Sequence, residues 1–207
     1  MPITISNFDE KYDRDSRFDK VQFNEINKFQ EGDIISFGPC DWIVLENIAD
    51  LGIAMISKSI LFYAYSGPIT TTKNSIQGIC TYEHIIAMMN AQYLIDVLFN
   101  AQEQSMLYLS KTNTVKKLYL PDLVDIAKLQ NLSEQLNNNF LISKPDIFED
   151  FVKANKQEMY ESEKPQCGWW IASPNTDYAI VNENGKVDTL KDGGVYGVRP
   201  VIYLTIS

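Results

Sequence analysis

After Gly32 the chain runs in short apolar stretches broken by turn chemistry. GDIISFG, DWIVLENI and GIAMISKSILFY are rich in Ile, Val and aromatic residues and are punctuated by Gly38-Pro39-Cys40-Asp41 and Ala49-Asp50-Leu51-Gly52. That spacing predicts consecutive antiparallel strands. Ser66 to Cys80, with Gly67-Pro68, several threonines and Asn74, predicts a loop. From Glu83 to Asn100 the period lengthens, and Ile85, Ile86, Met89, Tyr93, Leu94, Val97 and Leu98 fall on one broad helical face, with Thr81 placed to cap it. A second short helix is predicted over Gln102 to Leu109.

KKLYLPDLVDIAKL predicts a short strand ended by Pro121, with a helix starting there, because proline is tolerated in a first turn. Residues 130–164 are polar, holding NLSEQLNNN and then IFEDFVKANKQEMYESEK at helical period, and predict a helical insertion on the surface. The last forty residues return to β pattern in CGWWIAS, DYAIVNENGKVDTL and YGVRPVIYLTIS, with a hairpin turn at Glu183-Asn184-Gly185. Residues 1–31 are rich in charge with widely spaced aromatics, which predicts an extension lying over the domain, with a helix near Lys20 to Lys28. Residues 32–207 then form a single α+β domain: antiparallel sheets with two or more helices inserted between N-terminal and C-terminal strands, whose first and last strands can pair.

Several short motifs stand in a fixed order. They are Gly32-Asp33-Ile34, Trp42-Ile43-Val44-Leu45, Met89-Asn90 with Phe99 and Glu103 beyond it, Leu118-Tyr119-Leu120, Trp169-Trp170-Ile171-Ala172-Ser173-Pro174, Asn184-Gly185 and Gly197-Val198-Arg199-Pro200-Val201. The series resembles a bacterial family of unknown function marked by W-W-L-R-S-P and a closing G-V-R-P-A-L, over about Gly32 to Leu204. The resemblance implies a C-type-lectin-like fold, distantly similar to the sulfatase-modifying factors and to the variable proteins of diversity-generating retroelements. Ala172 stands where that family carries arginine, so any role of that arginine is absent or supplied elsewhere.

Charge narrows the partners. With 27 acidic against 18 basic residues the formal net charge is −9, which opposes nucleic acid, because phosphate neutralisation needs clustered Lys and Arg. The single basic doublet, Lys116-Lys117, is too small a patch to hold a membrane surface. The N-terminal residues lack the pattern of a secretory signal, and no stretch approaches the roughly 18 apolar residues of a spanning helix. A cytoplasmic protein is expected, with association to a phage particle a further possibility. Cys40, Cys80 and Cys167 are odd in number and scattered, which suits a reducing compartment and not a disulfide framework.

The chemistry tested in the sequence gives no assembled catalytic set. His84 is the single histidine, so histidine-rich metal sites are excluded on ligand count. A Cys3His zinc site from Cys40, Cys80, Cys167 and His84 lacks the usual close ligand pairs, and buried thiols are the preferred reading. Asn175, Asp177, Asp188 and Asp192 offer oxygens without a calcium-loop pattern. No metal or cofactor is therefore expected.

Trp169 and Trp170 point to opposite faces of a strand, so one belongs to the core and the other either lines a surface or packs the domain as well. Arg199 either grips an anionic ligand or ties loops together through backbone carbonyls, and the second use is preferred. Ser173 to Tyr178 combines small polar side chains with an aromatic ring, as adaptable recognition loops do. The expected function is a non-enzymatic recognition module binding a protein or glycan, with Trp170, Ser173, Asn175, Asp177, Tyr178, Asp192, Tyr196 and Arg199 as contact residues. The alternatives are an enzyme using Cys80 as nucleophile with His84, and an acidic inhibitor or immunity-type protein binding a basic partner.

Overall fold

A computed structural model describes residues 28–48, 52–66, 70–72, 75–77, 82–107, 117–142, 168–172, 179–189 and 194–205. Ile34–Phe37 (β1), Cys40–Ile48 (β2) and Gly52–Ser57 (β3) form an antiparallel meander, with Ile35 opposite Trp42 and Val44 opposite Met55. A bulge between Val44 and Glu46 shifts the register of the β2–β3 pair. Val201–Thr205 (β11) adds to the free side of β3, giving a four-stranded sheet in the order β1-β2-β3-β11. The first described strand and the last thus share a sheet but lie at opposite edges. The expected direct pairing between them gives way because the meander occupies the positions between.

A second sheet is built from Phe62–Ser66 (β4), Trp169–Ile171 (β7), Ala179–Val181 (β8), Val187–Thr189 (β9) and Gly194–Val198 (β10), in the order β4-β10-β7-β8-β9. All its pairings are antiparallel except that of β10 with β7. The predicted turn at Glu183-Asn184-Gly185 joins β8 to β9, and Gly185 takes φ 76°, the left-handed conformation such turns favour. Between β4 and the helices, Thr70–Thr72 (β5) and Ser75–Gln77 (β6) pair as a small hairpin where the sequence predicted only loop. Threonine is a good strand former, which the Gly-Pro and Asn punctuation had masked.

Two helices, Tyr82–Met89 (α1) and Gln92–Leu98 (α2), replace the single predicted helix. Asn90 explains the break. Its Nδ2 donates to the carbonyls of Ile86 and Leu118, and its Oδ1 accepts the backbone N–H groups of Lys117 and Leu118. Holding the 117–118 segment in this way fixes Asn90 in a turn, and Ala91 restarts the chain in extended conformation. Tyr93, expected on the apolar face, is exposed as a result.

Ala101–Met106 (α3) follows, with Asn100 and Glu103 forming a capping box. Buried Glu103 also accepts the N–H of Gly38, fastening the helix to the β1–β2 turn. Leu123–Gln135 (α4) begins one residue after its cap Asp122, so Pro121 precedes the helix and does not open it.

The central strands of both sheets are buried on both faces. Trp42, Val44, Met55, Ile202 and Leu204 of the first sheet join Trp170, Ile180, Tyr196 and Val198 of the second in one core, covered by Ile85, Met89, Ile95 and Leu98 of α1 and α2. The alternate residues Ile43, Leu45, Ala54, Ile56 and Val201 join Trp169, Ile171 and Val181 in another, covered by Ile126, Leu129 and Leu132 of α4. Two-sided burial is why β2 and β3 read as continuous apolar runs and not as alternating ones. Phe140 and Leu141 also enter the second core. The start of the expected surface insertion at residues 130–164 is therefore structural, whereas residues 143–164 lie outside the described residues, as does the extension up to residue 27.

The sheets are joined at one corner, where β3 leads to β4 beside the point where β10 leads to β11. Ser57 N–H donates to the Pro200 carbonyl at 2.9 Å and Leu61 N–H to the Val198 carbonyl at 3.0 Å, so both chains turn together.

Candidate functional site

Three of the residues expected to contact a ligand occupy the interior. The Trp170 and Tyr196 rings meet edge to face, 6.1 Å between centroids, and Trp170 Nε1 reaches the Ala64 carbonyl at 3.4 Å. Arg199 is wholly buried at the corner between the sheets. Its Nε donates to the Ser57 carbonyl at 2.9 Å, one Nη donates to the Phe140 carbonyl at 2.8 Å, and its guanidinium lies 4.7 Å over the Trp169 ring. The other Nη has no hydrogen-bond partner among the described residues. Burial pushes its pKa down to about 9. This is the carbonyl-tying use of Arg199, and Trp169 and Trp170 both pack the cores.

Ser173, Asn175, Asp177, Tyr178 and Asp192 lie outside the described residues, as do Cys80 and Cys167. Cys40 is a buried thiol and His84 is exposed on α1. Among the described residues, no three His, Cys, Asp or Glu side chains are grouped so as to hold a metal ion, and no helix is long and apolar enough to cross a membrane.

An open groove lies between α4 and the β8–β9 hairpin. At its helical wall Ile126, Gln130, Ser133 and Glu134 recur at helical spacing. Ile126, Leu129 and Leu132 anchor the helix in the core. Just beyond the helix Asn137 takes φ 49°, a left-handed conformation that asparagine tolerates at a helix end, and the chain reverses.

Ser133 fixes that reversal. Its Oγ donates to the Leu129 carbonyl and accepts the Phe140 N–H, while its own carbonyl accepts the Asn138 N–H. Phe140 and Leu141 then plunge into the core. Their carbonyls accept from Arg199 and from Trp169 Nε1, the latter at 3.0 Å. Arg199 is therefore a strut beneath the groove.

The second wall is the hairpin. Asn182 accepts the N–H groups of Asn184 and Lys186 on its side chain, which holds the turn closed. A Cβ on Gly185 would lie only 3.0 Å from Leu141 Cβ, so glycine lets the hairpin tip approach the Asn139–Leu141 segment. Between the walls lies a cavity of about 630 Å³ lined by Asn137, Asn138, Asn139, Leu141, Gly185, Lys186 and Val187 besides the helical residues. That volume is in the range of small-ligand and peptide sites.

Its polar equipment is mostly carboxamide. Gln130 Nε2 donates to Glu134 at 3.3 Å, and Asn139 Oδ1 accepts the Ile142 N–H. The side chains of Asn137 and Asn138 make no hydrogen bond among the described residues. The charged groups are Glu134 on the helix and Lys186 on the hairpin. Donors and acceptors of this kind can bind a polar ligand, but they supply no nucleophile or strong acid.

Sequence reasoning placed no contact residue here because it read residues 130–164 as a polar elaboration on the surface. The available signal was the run Asn137-Asn138-Asn139 directly before the apolar Phe140-Leu141, a sharp reversal that plants polar side chains beside core anchors. The groove lies at the Val181 end of β8, the end opposite Ala179.

No protein-family model, curated protein or solved structure matches the chain.

Proposed function

We propose that this chain is a non-enzymatic recognition domain with a C-type-lectin-like scaffold, binding a protein or a glycan. The observation that carries the reading is the groove between α4 and the β8–β9 hairpin, where unengaged carboxamides stand on a backbone fixed by core anchors. A site held this way loses little freedom when a ligand arrives, which favours binding. The α+β architecture, with helices between the early and late strands, supports the scaffold assignment. So does the use made of the motif residues: Asn90, Glu103, Trp169, Trp170 and Arg199 all hold the frame together.

The test is a parallel screen of the full chain against a glycan array and a displayed peptide library, repeated with the Gln130→Ala/Asn138→Ala double variant. Both side chains are exposed, so the variant retains the fold. Ligands bound by the wild type and lost in the variant support the reading. Failure to find a ligand in either library, or ligands indifferent to the double substitution, overturns it.

A further inference from the structure

The chemistry around the groove points to one class of occupant. Two large apolar side chains that remain exposed stand at its margin: Ile142 at 43% and Val187 at 48%. Ile142 follows Leu141 within 3.8 Å of where a Gly185 Cβ would be, and Val187 lines the groove itself. Clustered exposed apolar groups around a polar cleft mark an interaction surface. Aliphatic groups on a ligand would cover them.

We infer, resting on the recognition reading above, that the groove takes an extended peptide segment of a partner protein, carrying aliphatic side chains and a basic residue. A carboxamide presents one N–H donor side and one C=O acceptor in a plane, as a peptide group does, so the side chains of Gln130, Asn137 and Asn138 can pair with a main chain whatever its sequence. Alternate side chains of an extended segment project to opposite sides, which lets aliphatic groups meet the apolar margin while the main chain meets the carboxamides. Charge sets the remaining preference. Glu134 and Lys186 balance each other along the groove, so the preference comes from the formal net charge of −9, which attracts a cationic segment.

The experiment measures the affinity of synthetic peptides from the displayed library for the full chain, by fluorescence polarisation. The expected consensus has two aliphatic residues at alternate positions with Lys or Arg nearby. Asn138→Ala and Val187→Ser should each weaken binding roughly 5- to 10-fold, and added salt should weaken it further. Both side chains are exposed, and an unchanged amide spectrum confirms that the variants fold. Asn137→Gly, which keeps the left-handed backbone and removes only the carboxamide, provides a second check.

If scrambled peptides bind as tightly, or none of the three substitutions matters, the peptide assignment fails. If neutral saccharides and not peptides shift the Asn138 side-chain amide resonance, the peptide assignment fails while the groove as a recognition site stands.

Discussion

Single side chains carry much of this architecture, and Arg199 is the clearest case. A guanidinium is costly to bury, and among the described residues this one satisfies two interior carbonyls and stacks on Trp169. Arg199→Met keeps the volume and strands both acceptors, each worth about 1–3 kcal/mol when left unsatisfied, so a loss of about 2–4 kcal/mol is expected in urea unfolding. A loss below about 1 kcal/mol would mean that the strut is dispensable. Gly197 serves the same corner in another way. A Cβ there would lie 2.6 Å from Ile60 Cδ1 and 2.7 Å from its Cγ1, against a fully buried side chain. Gly197→Ala should cost about 1–3 kcal/mol through overpacking. In the Gly197→Ala/Ile60→Ala double variant the new methyl fills part of the cavity, so the two losses should sum to at least about 1 kcal/mol more than the double variant shows. Additive losses would dismiss the contact.

At the scale of elements, α4 joins the frame to the groove, and its first turn holds a charge conflict. Asp122 caps Val124 and Asp125, and Asp125 in turn accepts the Asp122 N–H. Burial raises the Asp125 pKa above 3.8. The Asp122 N–H hydrogen bond and Lys128 work against that shift, while the carboxylates of Asp122 and Glu46 add to it. A carboxyl whose folded pKa is raised contributes stability below its unfolded pKa and loses it as pH rises through the folded value. Asp125→Asn keeps an acceptor and removes the charge, so it should stabilise the domain at pH 7, and the advantage should vanish near pH 3, as followed by melting temperature across that range. A variant less stable than wild type at pH 7 would show that the Lys128 attraction dominates.

Elements differed in how openly the sequence announced them. The strands after Gly32, the Asn-Gly hairpin and the helical middle were readable because turn residues and apolar runs are local signals. The break at Asn90 was not, since it serves a segment 27 residues away. Nor was the groove, because a polar run near a helix end looks the same whether it faces solvent or walls a cleft. Asn90, Glu103, Trp169, Trp170 and Arg199 each tie segments that are distant in sequence, and such contacts leave no local signal.

For the whole molecule, the decisive feature is that the two cores share their strands. Trp42 enters one and its neighbour Ile43 the other; Trp170 enters the first and Trp169 the second. A strand cannot leave one core without stripping the other, so the two layers should unfold as one unit although the chain, at 207 residues, exceeds the usual two-state size of about 150. The tryptophans give a direct readout. A Trp42→Phe/Trp170→Phe variant leaves Trp169 to report the core beneath α4, and Trp169→Phe/Trp170→Phe leaves Trp42 to report the core beneath α1 and α2. In each variant the fluorescence and far-ultraviolet circular dichroism transitions in urea should superimpose, with equal slopes for the two probes. If Trp169 fluorescence changed at lower urea than the circular dichroism of the same variant, α4 and the groove it walls would be a separate unit. The strut from Arg199 to Phe140 would then be too weak to couple the binding surface to the sheets.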